Sequence, residues 1–158
     1  LVIDAFRQTP ERHLVLISNW QTSEYGRRLF AEHQGVPNIT LLPAVYDLRE
    51  LNYLRGNARA YVHSHSRCGT APSLVEAISL GLPIISFDVA TNRETTEGKA
   101  LYFGSADELA ALLRELDDAR LDALAADVAL LAREEYRWSH IAAQYAALFA
   151  PGPAGATA

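Results

Sequence analysis

Five short apolar runs alternate with segments of helical spacing, and that alternation constrains the fold more than any other feature of the chain. The runs are HLVLISNW (13–20), NITLLP (38–43), ARAYVHS (58–64), LPIISFDV (82–89) and KALYF (99–103). Their length, β-branched content and polar ends read as strands. Between them lie helix signals. Ser23 caps a helix to about Gln34, which Gly35 and Pro37 stop. Asp47 with Glu50 forms a capping box for a helix to about Asn57, and Ser105 with Glu108 another for a helix to about Leu116. A helix over 72–80 ends at Gly81, an Ala/Leu-rich helix spans 118–135, and Ser139 caps a last one from His140 to about Phe149. Strands near 13–18, 39–42, 59–63, 84–88 and 100–103 are therefore expected in one parallel sheet with right-handed crossovers, a doubly wound α/β domain. Ligands of such sheets bind at the carboxyl ends of the strands.

A chain of 158 residues, 49% apolar and 21% charged, holds one domain with a proper core. A formal net charge of −5 argues against a nucleic-acid partner, whose phosphates need Lys and Arg. The single cysteine, Cys68, cannot form an intrachain disulfide, which fits a reducing compartment. No apolar run reaches the length of a membrane span. The opening LVIDAFRQTP has helical spacing without a cap, and is read as the end of a helix whose start lies upstream. Residues 1–150 are assigned to the domain and 151–158, PGPAGATA, to a disordered tail.

The segment RCGTAPSLVEAISLGLPIISFDV (67–89) carries the chemistry. A helix start leaves N–H groups unpaired and bears about half a positive charge, so it holds phosphate without basic side chains. Gly69 permits close backbone approach, Pro72 suits the first turn, and the Thr70 and Ser73 hydroxyls offer further bonds. Glu76 shares a helix face with Ser73. A carboxylate beside a phosphate repels it, and makes sense where it accepts from neighbouring hydroxyls, such as those of a ribose. The competing reading is a turn and cap with no ligand. No G-x-G-x-x-G and no G-x-x-x-x-G-K-[ST] is present.

APSLVEAISLGLPIISFDVATNRET resembles the C-terminal domain of family 4 retaining glycosyltransferases, which have the GT-B fold of two facing Rossmann-like domains. The similarity extends to AFRQTPERHLVLIS, NITLLPAVYDLRELNYL, the 105–116 helix and Trp138-Ser139. HSHSRCGTAPSLVEA is closest to bacterial members that build surface polysaccharides, including rhamnosyltransferases. The resemblance implies a donor-binding domain that moves a sugar from a nucleotide diphosphate to a glycan or lipid-linked acceptor. It implies that the domain lacks its first strand, the basic pair on the donor phosphates and the N-terminal acceptor domain, and that this chain alone is inactive. By position Glu76 matches the second glutamate of the E-x7-E motif, on the ribose; Ser73 and Leu74 supply backbone N–H groups to the diphosphate; Ala44 and Val45 line the base. Cys68 stands where the motif has its first glutamate, which contacts the donor sugar, so that contact departs from the family's pattern. Two alternatives stay open: a degenerate nucleotide-sugar-binding module, or another GT-B enzyme such as a sugar-nucleotide epimerase.

His65, Cys68 and Arg67 are candidates for the donor sugar, against a structural histidine and a solvated arginine. Cys68 has no neighbouring base and is not expected to act as a nucleophile. His63 and His65, two apart at a strand end, should point the same way; no third metal ligand accompanies them, and neither metal nor cofactor is expected. Asp88, Asn92 and Glu94 follow a strand and either reach substrate or cap a turn. The full-length protein is expected in the cytoplasm, peripheral at the inner face of the membrane.

Overall fold

The computed structural model describes residues 1–67 and 69–149; Cys68 and the 150–158 tail lie outside the described residues. In chain order the elements are α1 (Val2–Arg7), β1 (Leu14–Ser18), a 3-10 turn (Trp20–Thr22), α2 (Glu24–His33), β2 (Ile39–Pro43), α3 (Leu48–Gly56), β3 (Tyr61–His63), α4 (Pro72–Ser79), β4 (Ile84–Phe87), α5 (Ala90–Thr95), β5 (Leu101–Phe103), α6 (Ala106–Glu115), α7 (Asp118–Glu134) and α8 (Trp138–Phe149).

Every strand pair is parallel. β1 lies on β2 from Leu14↔Ile39 to Ser18↔Pro43, β3 on β4 from Tyr61↔Ile84, and β4 on β5 from Ile85↔Leu101. The expected single sheet is corrected to two, β1–β2 and β3–β4–β5, with no ladder joining them among the described residues. Apolar alternation fixes which way a strand faces, but not which strand lies beside it.

Successive strand residues point to opposite faces, so β4 shows how the layers are arranged. Ile85 belongs to a core with Ile3, Phe6, Leu14, Phe103 and Leu109; its neighbour Ile84 belongs to a second core with Leu74, Ile78, Val128 and Leu131. Thus α1 and α6 cover one face and α4 and α7 the other, as a doubly wound domain requires. The first core also takes Leu14 from β1 and Ile39 from β2, so one apolar layer runs beneath both sheets.

The capping residues act as their types dictate. The Ser23 hydroxyl accepts from Gly26 N, Asp47 from Arg49 N and Glu50 N, and Ser105 from Glu108 N. Glu108 reaches back to Gly104 N at 2.7 Å rather than to Ser105, a displaced capping box. Gly26 is required by a close approach, since a Cβ there would lie 2.5 Å from the Trp20 carbonyl oxygen. Gly81, at φ +69°, ends α4: its N–H donates to Ile78 O and that of Leu82 to Ala77 O, a Schellman motif. One helix expectation is corrected: α8 starts at Trp138, so Ser139 lies inside the helix and is not its cap. Ala90–Thr95, to which the sequence reading assigned no element, is a helix.

α1 and α6, a hundred residues apart, are tied by polar as well as apolar contacts. Arg12 Nε donates to Leu113 O at 2.9 Å and its Nη2 to Leu116 O, closing the end of α6. Arg114 Nη2 donates to Gln8 O at 3.1 Å, and Gln8 Nε2 to Asp107 Oδ1 at 3.0 Å. Asn38 Nδ2 donates to Phe6 O at 2.7 Å and Arg12 O at 2.9 Å, joining the end of α1 to β2.

Candidate functional site

The carboxyl ends of the strands release the loops that hold the residues singled out by sequence. Ala71, extended at ψ 119°, precedes α4 and gives it no side-chain cap; Pro72 fills the first helical position. Leu74 N and Val75 N both donate to Ala71 O, at 3.0 and 3.1 Å. Of the two amides expected to face an anion, Leu74's is thus engaged within the first turn, while Ser73's donates to no protein group among the described residues. Neither the Thr70 nor the Ser73 hydroxyl acts as the cap that the competing reading requires. Gly69 and Thr70 are exposed, and a Cβ at Gly69 would meet nothing within 4 Å, so the approach to the helix start is open. Leu74, Ala77 and Ile78 anchor α4 in the second core, which leaves Glu76 half exposed on the outer side.

Glu76 is not solitary. Its Oε2 accepts from Arg55 Nη1 at 2.5 Å, linking α4 to the last turn of α3. Arg55 is the functional candidate that sequence reasoning missed. It lies 21 positions away, and no local spacing pairs a residue on one helix with a residue on the next.

His63 and His65 come together as expected, with ring centroids 4.8 Å apart at 71°, but in different surroundings. His63 is fully buried and His65 exposed. Burial, and secondarily the charge of His65, pushes the His63 imidazole down to about 4, so it is neutral at pH 7. Its Nε2 and the Asn92 Oδ1 are buried with no partner among the described residues. Asn92 Nδ2 donates to His65 O and Phe87 O, both at 2.9 Å, so the buried amide ties the loop after β3 to the end of β4. Asp88 is held by Arg93, Nε to Oδ1 at 2.6 Å and Nη2 to Oδ2 at 2.8 Å. That bidentate bond holds its carboxyl below the usual carboxylate range. Arg93 in turn lies over the Tyr102 ring, 4.0 Å from its centroid. Asp88 and Asn92 are thus committed to internal contacts, while Glu94 and Arg67 are exposed. The Cys68 position lies outside the described residues.

Two adjoining cavities, of about 280 and 300 Å³, surround Ser18, Asn19 and Trp20 at the carboxyl end of β1; the first reaches Pro43 and Ala44. Val45 follows, half-buried, and Asn19 Nδ2 donates to the Tyr46 hydroxyl at 3.0 Å, joining the loops after β1 and β2. Neither cavity includes Glu76: Ala44 borders a concave apolar surface, whereas the α4 start is an open polar one. Among the described residues no group of three His, Cys, Asp or Glu lies together as metal ligands, and no helix is long and apolar enough to cross a membrane.

Parallel strands with helices on both faces, in this order, make an α/β fold similar to that of a GT-B glycosyltransferase domain. Among solved structures the chain is similar to the pneumococcal O-GlcNAc transferase GtfA in complex with UDP and GlcNAc, with a TM-score of 0.67 and 24% identity. The match covers 93% of this chain and 31% of GtfA, so the chain spans less than a third of that protein. At that identity the likeness establishes the fold alone. No protein-family model and no curated protein matches the sequence.

Proposed function

We propose that this chain is the donor-binding domain of a glycosyltransferase, taking a nucleotide diphosphate-sugar at the start of α4. The observation that carries the reading is a helix start that no described side chain caps, with the Ser73 amide unpaired among the described residues and Glu76 one turn further along the same helix. A structural cap would have used Thr70, Ser73 or a neighbouring side chain, and among the described residues none does so. The fold supports the same reading, because the similar GtfA is a sugar transferase solved with UDP. Here the Ser73 amide meets the diphosphate, Glu76 accepts from the ribose hydroxyls, and Ala44 and Val45 border the base. Thr70 and Gly69 complete the approach to the phosphates, and His65 and Arg67 are the described candidates for the sugar.

In the transfer, an acceptor hydroxyl oxygen bonds to the anomeric carbon as the sugar–phosphate bond breaks. The nucleoside diphosphate leaves and takes up the hydroxyl's proton. Charge developing on the leaving group is met by the α4 start, with no protein general base. The finer reading is a retaining, family 4 hexosyltransferase of bacterial surface-polysaccharide assembly, cytoplasmic and peripheral to the membrane. Its acceptor, a glycan or lipid-linked sugar, would be held by a separate domain, and a further strand would join the two sheets. The quoted motif supports this, together with the break between β2–β1 and β3–β5.

Titration of the chain with UDP and with its 2′,3′-dideoxy form, by calorimetry or NMR, tests the site. Glu76→Gln keeps size but loses a charge-assisted acceptor worth about 1.5–3 kcal/mol, so UDP affinity should fall about 10- to 100-fold. The dideoxy nucleotide should bind poorly to the unmodified chain, and Glu76→Gln should cost it little more. Unchanged UDP affinity in a folded Glu76→Gln protein would reduce the segment to a turn and a helix.

A further inference from the structure

We infer that Arg55 is a positioning residue of the nucleotide site, holding the Glu76 carboxylate so that one oxygen is kept for the ribose; this rests on the donor-site reading above. Two ion pairs of this half of the domain, Arg93–Asp88 after β4 and Arg55–Glu76 between α3 and α4, differ in a telling way. Arg93 grips Asp88 with two parallel bonds and occupies both carboxylate oxygens. Arg55 grips Glu76 through Nη1 and Oε2 alone, and among the described residues nothing donates to Oε1. The burial is also unequal: the Arg55 side chain is 13% exposed and that of Glu76 48%. The cation is therefore the more deeply set partner, and the half-exposed carboxylate keeps one oxygen without a donor among the described residues. A free Glu side chain spends its time among several rotamers. A single firm bond to a nearly buried guanidinium selects one of them, and the ordering is done before any ligand arrives.

Charge supports the same role. A lone carboxylate would oppose a diphosphate at the α4 start, and the chain is acidic overall, with a formal net charge of −5. Arg55 cancels the Glu76 charge where the opposition would be strongest, yet leaves Oε1 as a strong acceptor. Lysine would not serve equally, because a strongly hydrated ammonium on a flexible stem is poorly suited to a nearly buried position between two helices.

The test is a titration of the whole chain with UDP and its 2′,3′-dideoxy form, using Arg55→Gln, Arg55→Lys, Glu76→Gln and the Arg55→Gln/Glu76→Gln double variant. Thermal melts are run in parallel, with Arg55→Met as a packing substitute should Arg55→Gln unfold. The expected result is that Arg55→Gln lowers UDP affinity about tenfold and removes most of the preference for UDP over the dideoxy form. Arg55→Lys should retain part of that preference, and the double variant should bind UDP no more weakly than Glu76→Gln. A merely structural arginine would shift both nucleotides equally, or shift only the melting temperature. If Glu76→Gln abolishes the preference while Arg55→Gln and Arg55→Met preserve it, the positioning role is overturned and the donor site stands. If the unmodified chain shows no preference, or Glu76→Gln leaves it intact, the ribose assignment fails and the role of Arg55 fails with it.

Discussion

His63 sits on the last position of β3, fully buried, with a ring nitrogen that bonds to nothing among the described residues. Its imidazole is pushed from 6.5 to about 4 by burial. A histidine with a lower pKa when folded takes its proton more readily when unfolded. Stability is therefore level above pH 6.5 and falls as pH drops from 6.5 towards 4, by up to about 3 kcal/mol. His63→Leu removes both the titration and an unsatisfied polar atom. Urea unfolding at pH 7 should find the variant close to the parent, and at pH 4.5 more stable than it. A parallel fall in both proteins would mean that other groups carry the acid sensitivity. Residue-scale reading of the sequence went as far as local chemistry allows. Glu76 was legible because its spacing from Ser73 and the start of α4 is fixed by one helix. Arg55 was not, and Asn92 was named without its role, since each acts through a contact between elements: Arg55 on Glu76, Asn92 on the His65 carbonyl.

Helices announce themselves when a side chain satisfies their first amides. Ser23, Asp47 and Ser105 do so, and all three helices begin at the residue after the cap. α5 has Val89 before it, no side-chain cap and six residues, too few to show a period, so its sequence carries no helix signal. Ser139 misled for the opposite reason: a good capping residue lies one position inside α8, which has no buried residue to fix its start. Helix ends matter for stability where they are closed from afar. Arg12 supplies the end of α6 with two donors, and Arg12→Ala leaves the Leu113 and Leu116 carbonyls without them. The expected cost is about 2 kcal/mol, a melting temperature roughly 4–8 °C lower by circular dichroism. An unchanged melt would show that water replaces the guanidinium without loss.

Two sheets would ordinarily suggest two units, yet the apolar layer that takes Leu14 and Ile39 from one also takes Ile85 and Phe103 from the other. Calorimetry should therefore show one transition whose calorimetric and van't Hoff enthalpies agree. Trp20 is buried beside the first sheet, whereas Trp138 is 85% exposed, so the change in fluorescence on unfolding reports chiefly on the first sheet. Its midpoint should coincide with that of circular dichroism, and separate midpoints would divide the molecule at the break between sheets. The clasp of α1 by α6 also has a meaning in time. Phe6 and Leu14 are made well before their covering residues Leu109 and Leu113, which come about a hundred positions later. At roughly 5–20 residues per second that is a wait of about 5–20 s during synthesis. For that interval α1 and β1 carry exposed apolar surface, and their core closes only once α6 has been made.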